Sequence, residues 1–390
     1  MGTTVSRSAL RLPLPSPKVG QIDGLQALRT IAVFLVAWTH CGQLFNRTGM
    51  NLPQLGIFGV DIFFVISGFI LSLLVLRETR PPGMATMWNF LRRRVVRIFP
   101  VYLVFALYPL AHHFRHGLAE GLTYVPAIFL LPGLRYPDLP TLANFSWTLI
   151  FEMFFYLVFA ALLLVAVRRA VAMMGWLLVG LVCLGAVIDF RRPILAVVMN
   201  PILLEFAFGV CVAILYSRYG LKRKPRIGIV LFVLGWVLAF VAYSWKTSGM
   251  AQFQNDILAG QGVMLRALTL GVTAGLIVAG TVFWSPSMRS FAGRVMVLLG
   301  NSSYSAYLLS GYLLERYSPT ISRHVMPRGY VELSAAELAV AAVLLGLGLV
   351  FYLLIEKPLL RVANRLLPAA NARGKTQAPA LGRVGTAPGN

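Results

Sequence analysis

The chain is dominated by long uninterrupted apolar runs, with neither the two-residue alternation of strands nor the polar stripe of soluble helices. Runs of about 20 apolar residues predict transmembrane helices, because a bilayer core of roughly 30 Å needs that length at 1.5 Å per residue. Such runs fall near residues 25–45, 56–76, 98–116, 145–167, 173–190, 195–216, 227–245, 264–284, 294–314 and 334–355. They predict ten spans. A further apolar stretch, Tyr124 to Leu131, is short and is bounded by Pro132-Gly133. No internal repeat is evident. The expected organisation is a flexible basic segment at 1–20, a membrane domain at 21–361, and a disordered tail at 362–390 rich in Ala, Gly and Pro.

Composition agrees with this pattern. Hydrophobic residues make up 58% of the chain and charged ones 12%, where a soluble protein carries about a quarter charged. A soluble multidomain enzyme, a disordered chain and a disulfide-stapled secreted domain are thereby excluded. The net charge of +22 would suit a nucleic-acid binder, so the positions of the charges decide. With the N-terminus cytoplasmic and residues 121–133 not crossing, 24 of the 35 Lys and Arg fall on the inner side and nine on the outer. If the short stretch crossed, Arg168, Arg169 and the Lys222–Arg226 cluster would face outward. The positive-inside rule favours the first arrangement. The expected fold is all-α: ten transmembrane helices, a re-entrant or surface segment at 117–144, both termini cytoplasmic, and no nucleic-acid partner. Cys41, Cys183 and Cys211 each lie in an apolar run and read as buried small hydrophobes, with no metal-ligand spacing.

An ionisable residue within a span costs roughly 2.5–3.5 kcal/mol at the helix centre, so each is a candidate functional site. Arg29, His40, Asp61, Glu152 and Arg266 stand out, with Glu205 a weaker candidate. Arg29 and His40 are 11 residues apart. That is about three turns plus 20°, so they share one helix face about 16 Å apart. Glu152 lies about 10 Å below the outer surface, and His40 about 22 Å above the inner one. The two reach similar depths, and a carboxylate beside an imidazole stabilises the protonated form a general base must pass through. A structural buried ion pair is the alternative. Asp61 falls in the same layer and could equally partner His40. On the inner side, Arg92, Arg93, Arg94 and Arg97 precede Phe99-Pro100. Arg94 and Arg97 project together at i,i+3, as do Arg93 and Arg97 at i,i+4. Guanidinium forks suit phosphate, whereas ordinary topology or anionic-lipid contact is the alternative use of such a cluster.

At these residues the chain resembles the bacterial acyltransferase-3 family of integral-membrane O-acyltransferases. Gln26-Ala27-Leu28-Arg29-Thr30-Ile31-Ala32 leading to His40 is similar to the family's opening motif. Gly59-Val60-Asp61-Ile62-Phe63-Phe64-Val65-Ile66-Ser67-Gly68-Phe69 resembles its second-span signature. Phe90 to Tyr102 resembles its basic segment ending in Pro-x-Tyr, and Phe145 to Tyr156 its Ser-Trp…Glu…Phe-Tyr motif. Leu299-Gly300-Asn301-Ser302-Ser303-Tyr304-Ser305-Ala306-Tyr307-Leu308 and Glu356-Lys357-Pro358 resemble its closing motifs. The likeness runs in order from about residue 21 to 361. Two features depart from it. Family members often carry a His soon after the Ser-Tyr-x-x-Tyr-Leu motif, where this chain reads Leu309-Ser310-Gly311, and some carry a fused esterase-like domain, where only a short tail follows residue 361 here.

The resemblance implies transfer of an acyl group, acetyl by expectation, from acyl-CoA to a hydroxyl of an exported or cell-envelope polysaccharide, in the bacterial inner membrane. The acceptor alternatives are a small molecule or a lipid; a non-enzymatic transporter of a lipid-linked sugar is the alternative class. The implied roles are catalysis by His40 with Glu152 and Asp61, phosphate binding of acetyl-CoA by Arg29, Arg93, Arg94 and Arg97, and acceptor contacts at Trp147, Tyr304 and Ser67. No metal is expected. Membrane lipids are the remaining expected partners, and the sequence sets no oligomeric state.

Overall fold

The structure, a computed structural model, describes residues 22–42, 56–132, 146–188, 193–219, 224–244, 256–257, 260, 262–324 and 327–368. Among these described residues the chain is helical, with no strand. The helices are α1 (Asp23–Gly42), α2 (Ile57–Leu76), α3 (Met84–His116), α4 (Leu118–Ile128), α5 (Trp147–Val165), α6 (Ala170–Gly185) and α7 (Pro193–Val198). They continue with α8 (Leu203–Tyr219), α9 (Pro225–Ser244), α10 (Val263–Trp284), α11 (Phe291–Asn301), α12 (Ser303–His324) and α13 (Tyr330–Leu366). Seven stretches are long and apolar enough to cross a membrane: α2, α3, α5, residues 194–219, α9, α10 and α13. Helices α6 and α11 are apolar but shorter.

Each predicted span has a helical counterpart, with two divisions. The run at 195–216 is shared between α7 and α8. The run at 294–314 is split between α11 and α12 at Ser302. Gly300, just before the break, is pressed so closely on α1 that an added Cβ would lie 1.9 Å from the Gln26 carbonyl oxygen. Helix α4 has 11 residues, too short to cross a bilayer. It packs back on α3, where the Tyr102 hydroxyl donates to the Ala127 carbonyl at 2.7 Å. The rest of the predicted 117–144 segment beyond residue 132, the basic segment at 1–20 and the tail beyond residue 368 lie outside the described residues. Helix α13 runs to Leu366, five residues past the expected domain end at 361.

Inside a bilayer, apolar side chains gain little by leaving lipid for protein, so helices associate through close packing and buried polar contacts. The α2–α8 contact shows how close. A Cβ on Gly68 would meet the Phe206 carbonyl at 2.3 Å, and one on Gly209 the Val65 carbonyl at 2.2 Å. Helix α1 is the hub, packed against α2, α10, α11, α12 and α13. Of the three cysteines only Cys41 is buried; Cys183 and Cys211 lie on the bundle's exterior. That corrects the expectation of three buried thiols: an apolar run does not say whether a position faces protein or lipid.

Two helices contain a single π turn. In α10 it spans Ala267–Gly271, directly after Arg266, and in α13 it spans Tyr352–Glu356. A π turn shifts the residues beyond it around the axis, and such turns are frequent at functional sites. Both here adjoin buried charged side chains.

Candidate functional site

Helix α3 begins at Met84, well before the run that predicts its span. Arg92 to Arg97 therefore lie about 12–20 Å along a continuous 33-residue helix. Arg94 and Arg97 of this segment form part of a helix wall within the bundle.

That wall encloses a cavity of about 290 Å³ bounded by α1, α2, α3, α5 and α12. Arg29 reaches it from α1, Arg94 and Arg97 from α3, Glu152 and Tyr156 from α5, and Tyr304 and Tyr307 from α12. Helix α2 contributes Val60, Phe63, Phe64, Ser67, Ile70, Leu71 and Leu74, a single face at helical spacing. Val60 to Leu74 is a rise of about 21 Å, so the cavity is elongated along the bundle. Ser67 is midway.

Its polar groups are mutually ordered. Ser67 Oγ donates to Glu152 Oε1 at 2.6 Å. Thr148 Oγ1 and the Tyr307 hydroxyl share a hydrogen bond of 2.8 Å, and the Tyr304 hydroxyl donates to the Ile98 carbonyl at 3.0 Å. The Arg94 guanidinium lies 5.9 Å from the Tyr156 ring centroid and 5.8 Å from that of Phe90. Arg29 is acted on by the charges of Arg97, Glu152 and Glu356. Three guanidiniums thus surround a cavity lined by a single carboxylate. The Nε groups of Arg29 and Arg94, Gln26 Oε1 and Ser303 Oγ are buried without a protein partner, although buried donors and acceptors are nearly always satisfied. The arrangement offers unmatched donors and positive charge to an anion.

The remaining predicted site residues are elsewhere. Arg93 is exposed and faces Glu78 at 3.7 Å. It is one residue, about 100°, around the helix from Arg94, which turns it off the cavity wall. Trp147 is buried among aromatic rings, 6.3 Å from Phe64 and 6.1 Å from Phe151 between centroids, and does not line the cavity. Asp61 is fully buried, and Arg266 holds it as a fork: Nε to Oδ1 at 2.9 Å and Nη2 to Oδ2 at 2.8 Å. Glu205 is also fully buried, on α8. It is close enough to Asp61 and Arg266 for their charges to act on it. Asp61 therefore pairs with Arg266, not with His40. His40 is in the last turn of α1, half-buried, and is not part of the cavity lining. The expected His40–Glu152 contact is replaced by Ser67–Glu152. Equal depth was the basis for expecting it, and the depths differ: Gly59 of α2 packs against Ala32 and Val36 of α1, and Ser67, which holds Glu152, lies about 12 Å further along α2, away from His40.

Sequence reading missed Gln26, Thr148, Tyr156 and Tyr307. Each had a signal: Gln26 is i−3 from Arg29, Thr148 and Tyr156 are i∓4 from Glu152, and Tyr307 is i+3 from Tyr304, so each shares a face with a residue already singled out. Among the described residues no group of three or more His, Cys, Asp or Glu side chains is placed to hold a metal ion.

The family model described as Acyltransferase domain matches residues 22–356. The exopolysaccharide production protein ExoZ of Rhizobium meliloti (strain 1021) is 29% identical over 85% of this chain and 97% of its own length. The acyltransferase MdmB of Streptomyces mycarofaciens is 26% identical over 94% of this chain and 100% of its own length. No solved structure matches the chain significantly.

Proposed function

The chain belongs to the acyltransferase-3 family, and from that premise we propose that this membrane acyltransferase moves an acetyl group from acetyl-CoA to a hydroxyl of an exported or cell-envelope polysaccharide. The observation that carries the donor half is the cavity in which Arg29, Arg94 and Arg97 converge with buried N–H groups left over. Phosphate oxygens accept the paired donors of guanidinium forks. In this reading the three arginines hold the phosphates of CoA, whose thioester supplies the activated acyl group.

A ruler supports the placement. From the pyrophosphate to the sulfur, the extended pantetheine arm spans about 16 Å at about 1.2 Å per bond. Arg29 and His40 are about 16 Å apart along α1. Phosphates at Arg29 therefore bring a thioester to the level of His40. His40 takes the proton of the acceptor hydroxyl as that oxygen attacks the thioester carbonyl; the C–S bond then breaks, and the departing CoA thiolate takes up the proton from His40. Glu152, beside Ser67 and among the arginines, keeps the guanidiniums apart and aimed into the cavity; it belongs to the donor half and not to His40. Asp61, consumed by Arg266, has no catalytic role. Ser67 and Tyr304 shape the cavity, the first by fixing Glu152 and the second by tying α12 to α3.

The polysaccharide acceptor is supported by the name of the Rhizobium relative. The side carrying Asp23 and Leu366 is assigned to the cytoplasm on the positive-inside count. The test is a comparison of envelope and exported glycans from wild-type and deletion strains. Loss of an acetyl ester in the deletion supports the reading. Unchanged glycan esters, with acetyl-CoA turnover retained by the purified protein, would move the acceptor to a small molecule or lipid.

A further inference from the structure

Behind the cavity wall lies a buried carboxylate, Glu356. Glu356 closes the π turn of α13, 1% exposed, while Leu354 and Ile355 beside it face outward. It accepts a short hydrogen bond from the hydroxyl of Ser305, itself fully buried on α12. Ser305 is flanked by Ser303, Tyr304 and Tyr307, which face the cavity from the same helix. Glu356 is not in the cavity lining, but its charge acts on Arg29 and Arg97.

We infer that Glu356, anchored by Ser305, is a positioning residue that sets how tightly the Arg29–Arg97 pair holds the acyl donor. This rests on the reading of the cavity as the CoA phosphate site. Arg29, Arg94 and Arg97 count three positive charges against the two carboxylates Glu152 and Glu356, leaving one net positive charge before any ligand enters. A buried array of three unopposed guanidiniums would repel itself and bind a polyanion too tightly to release it. Glu356 offsets one charge without entering the cavity. The hydroxyl of Ser305 holds one of its oxygens, Oε2, back, so that it does not compete with phosphate for the same N–H groups. The π turn makes this possible, because it brings Glu356 inward where the neighbouring positions of α13 face lipid.

The test uses the purified full-length protein in detergent micelles, with CoA and acetyl-CoA as probes. Glu356→Gln removes the charge and keeps the shape, so the Kd for CoA and the KM for acetyl-CoA should fall roughly threefold to tenfold. Ser305→Ala keeps the charge and frees the carboxylate to reach the guanidiniums, so both constants should rise. Glu356→Asp should restore values near wild type. Opposite signs for the first two variants are not expected from a general loss of packing. Arg94→Ala is the control for the parent reading and should raise both constants. If Arg94→Ala weakens CoA binding while Glu356→Gln leaves it unchanged or weakens it, the cavity assignment stands and the role of Glu356 is overturned. If Arg94→Ala leaves CoA binding unchanged, the cavity assignment itself falls. Should Glu356→Gln not fold, Ser305→Ala alone decides: an unchanged or lowered Kd overturns the inference.

Discussion

Ser67 and Glu152 are joined by a 2.6 Å hydrogen bond across the α2–α5 boundary, on the wall of the cavity that holds Arg29, Arg94 and Arg97. This places the fourth-span carboxylate with the arginines, in a cavity that His40 does not line. The proposed division of donor binding and proton transfer between the arginine cavity and His40 predicts that the two separate in kinetics.

His40→Ala should abolish turnover while leaving the Kd for CoA within about twofold of wild type, because His40 is not in the cavity lining. Glu152→Gln should lower activity about tenfold or more, equally across the pH range, since it has no contact with the imidazole to perturb. Rates from pH 5 to 9 check both. A shifted pH midpoint in Glu152→Gln would restore the direct His40–Glu152 pairing.

Arg94→Ala combined with Arg97→Ala should raise the KM for acetyl-CoA by tenfold or more, since a hydrogen bond to a charged group contributes about 1.5–3 kcal/mol. Arg93→Ala should change it less than about twofold, because Arg93 faces Glu78 outside the cavity. Initial rates over a range of acetyl-CoA concentrations distinguish the two. Equal effects at 93 and 94 would place the phosphates on the exposed side of α3.

Asp61→Asn or Arg266→Ala should destabilise the bundle by about 3–5 kcal/mol, the cost of leaving one member of a buried pair without its partner. Replacing both, with Asp61→Leu and Arg266→Met in a Glu205→Gln background, should recover much of the loss, because no buried charge is then stranded. Thermal unfolding in detergent reads this out. A double variant as unstable as the singles would assign the pair a role beyond its mutual neutralisation.

Gly300→Ala should cost about 1–3 kcal/mol by overpacking, since its Cβ would meet the Gln26 carbonyl at 1.9 Å. The displacement passes into α1, one turn from Arg29, so the KM for acetyl-CoA should rise as well. A variant of normal stability and normal KM would show that α11 yields in place of α1.

The sequence alone determined that this is a helical membrane protein, because a bilayer needs about 20 apolar residues per crossing and the chain supplies such runs repeatedly. It also singled out residues by two signals: an ionisable side chain in such a run is too costly to be idle, which marks Arg29 and Glu152 of the cavity and the buried Asp61 and Arg266, and the basic cluster before the third run marks Arg94 and Arg97 of the cavity. Only the tertiary structure decided who meets whom. Helical arithmetic yields depth along an axis and relative angle on one helix, but nothing about which helix stands opposite. Asp61 was expected at the depth of His40 and pairs with Arg266; Glu152 was expected at that same depth and bonds Ser67; Arg93 adjoins Arg94 in sequence and faces Glu78. The two π turns, invisible in composition or periodicity, further turn Arg266 and Glu356 relative to the rest of their helices. Partner choice in a bundle is a matter of azimuth and neighbours, and those exist only once the helices have packed.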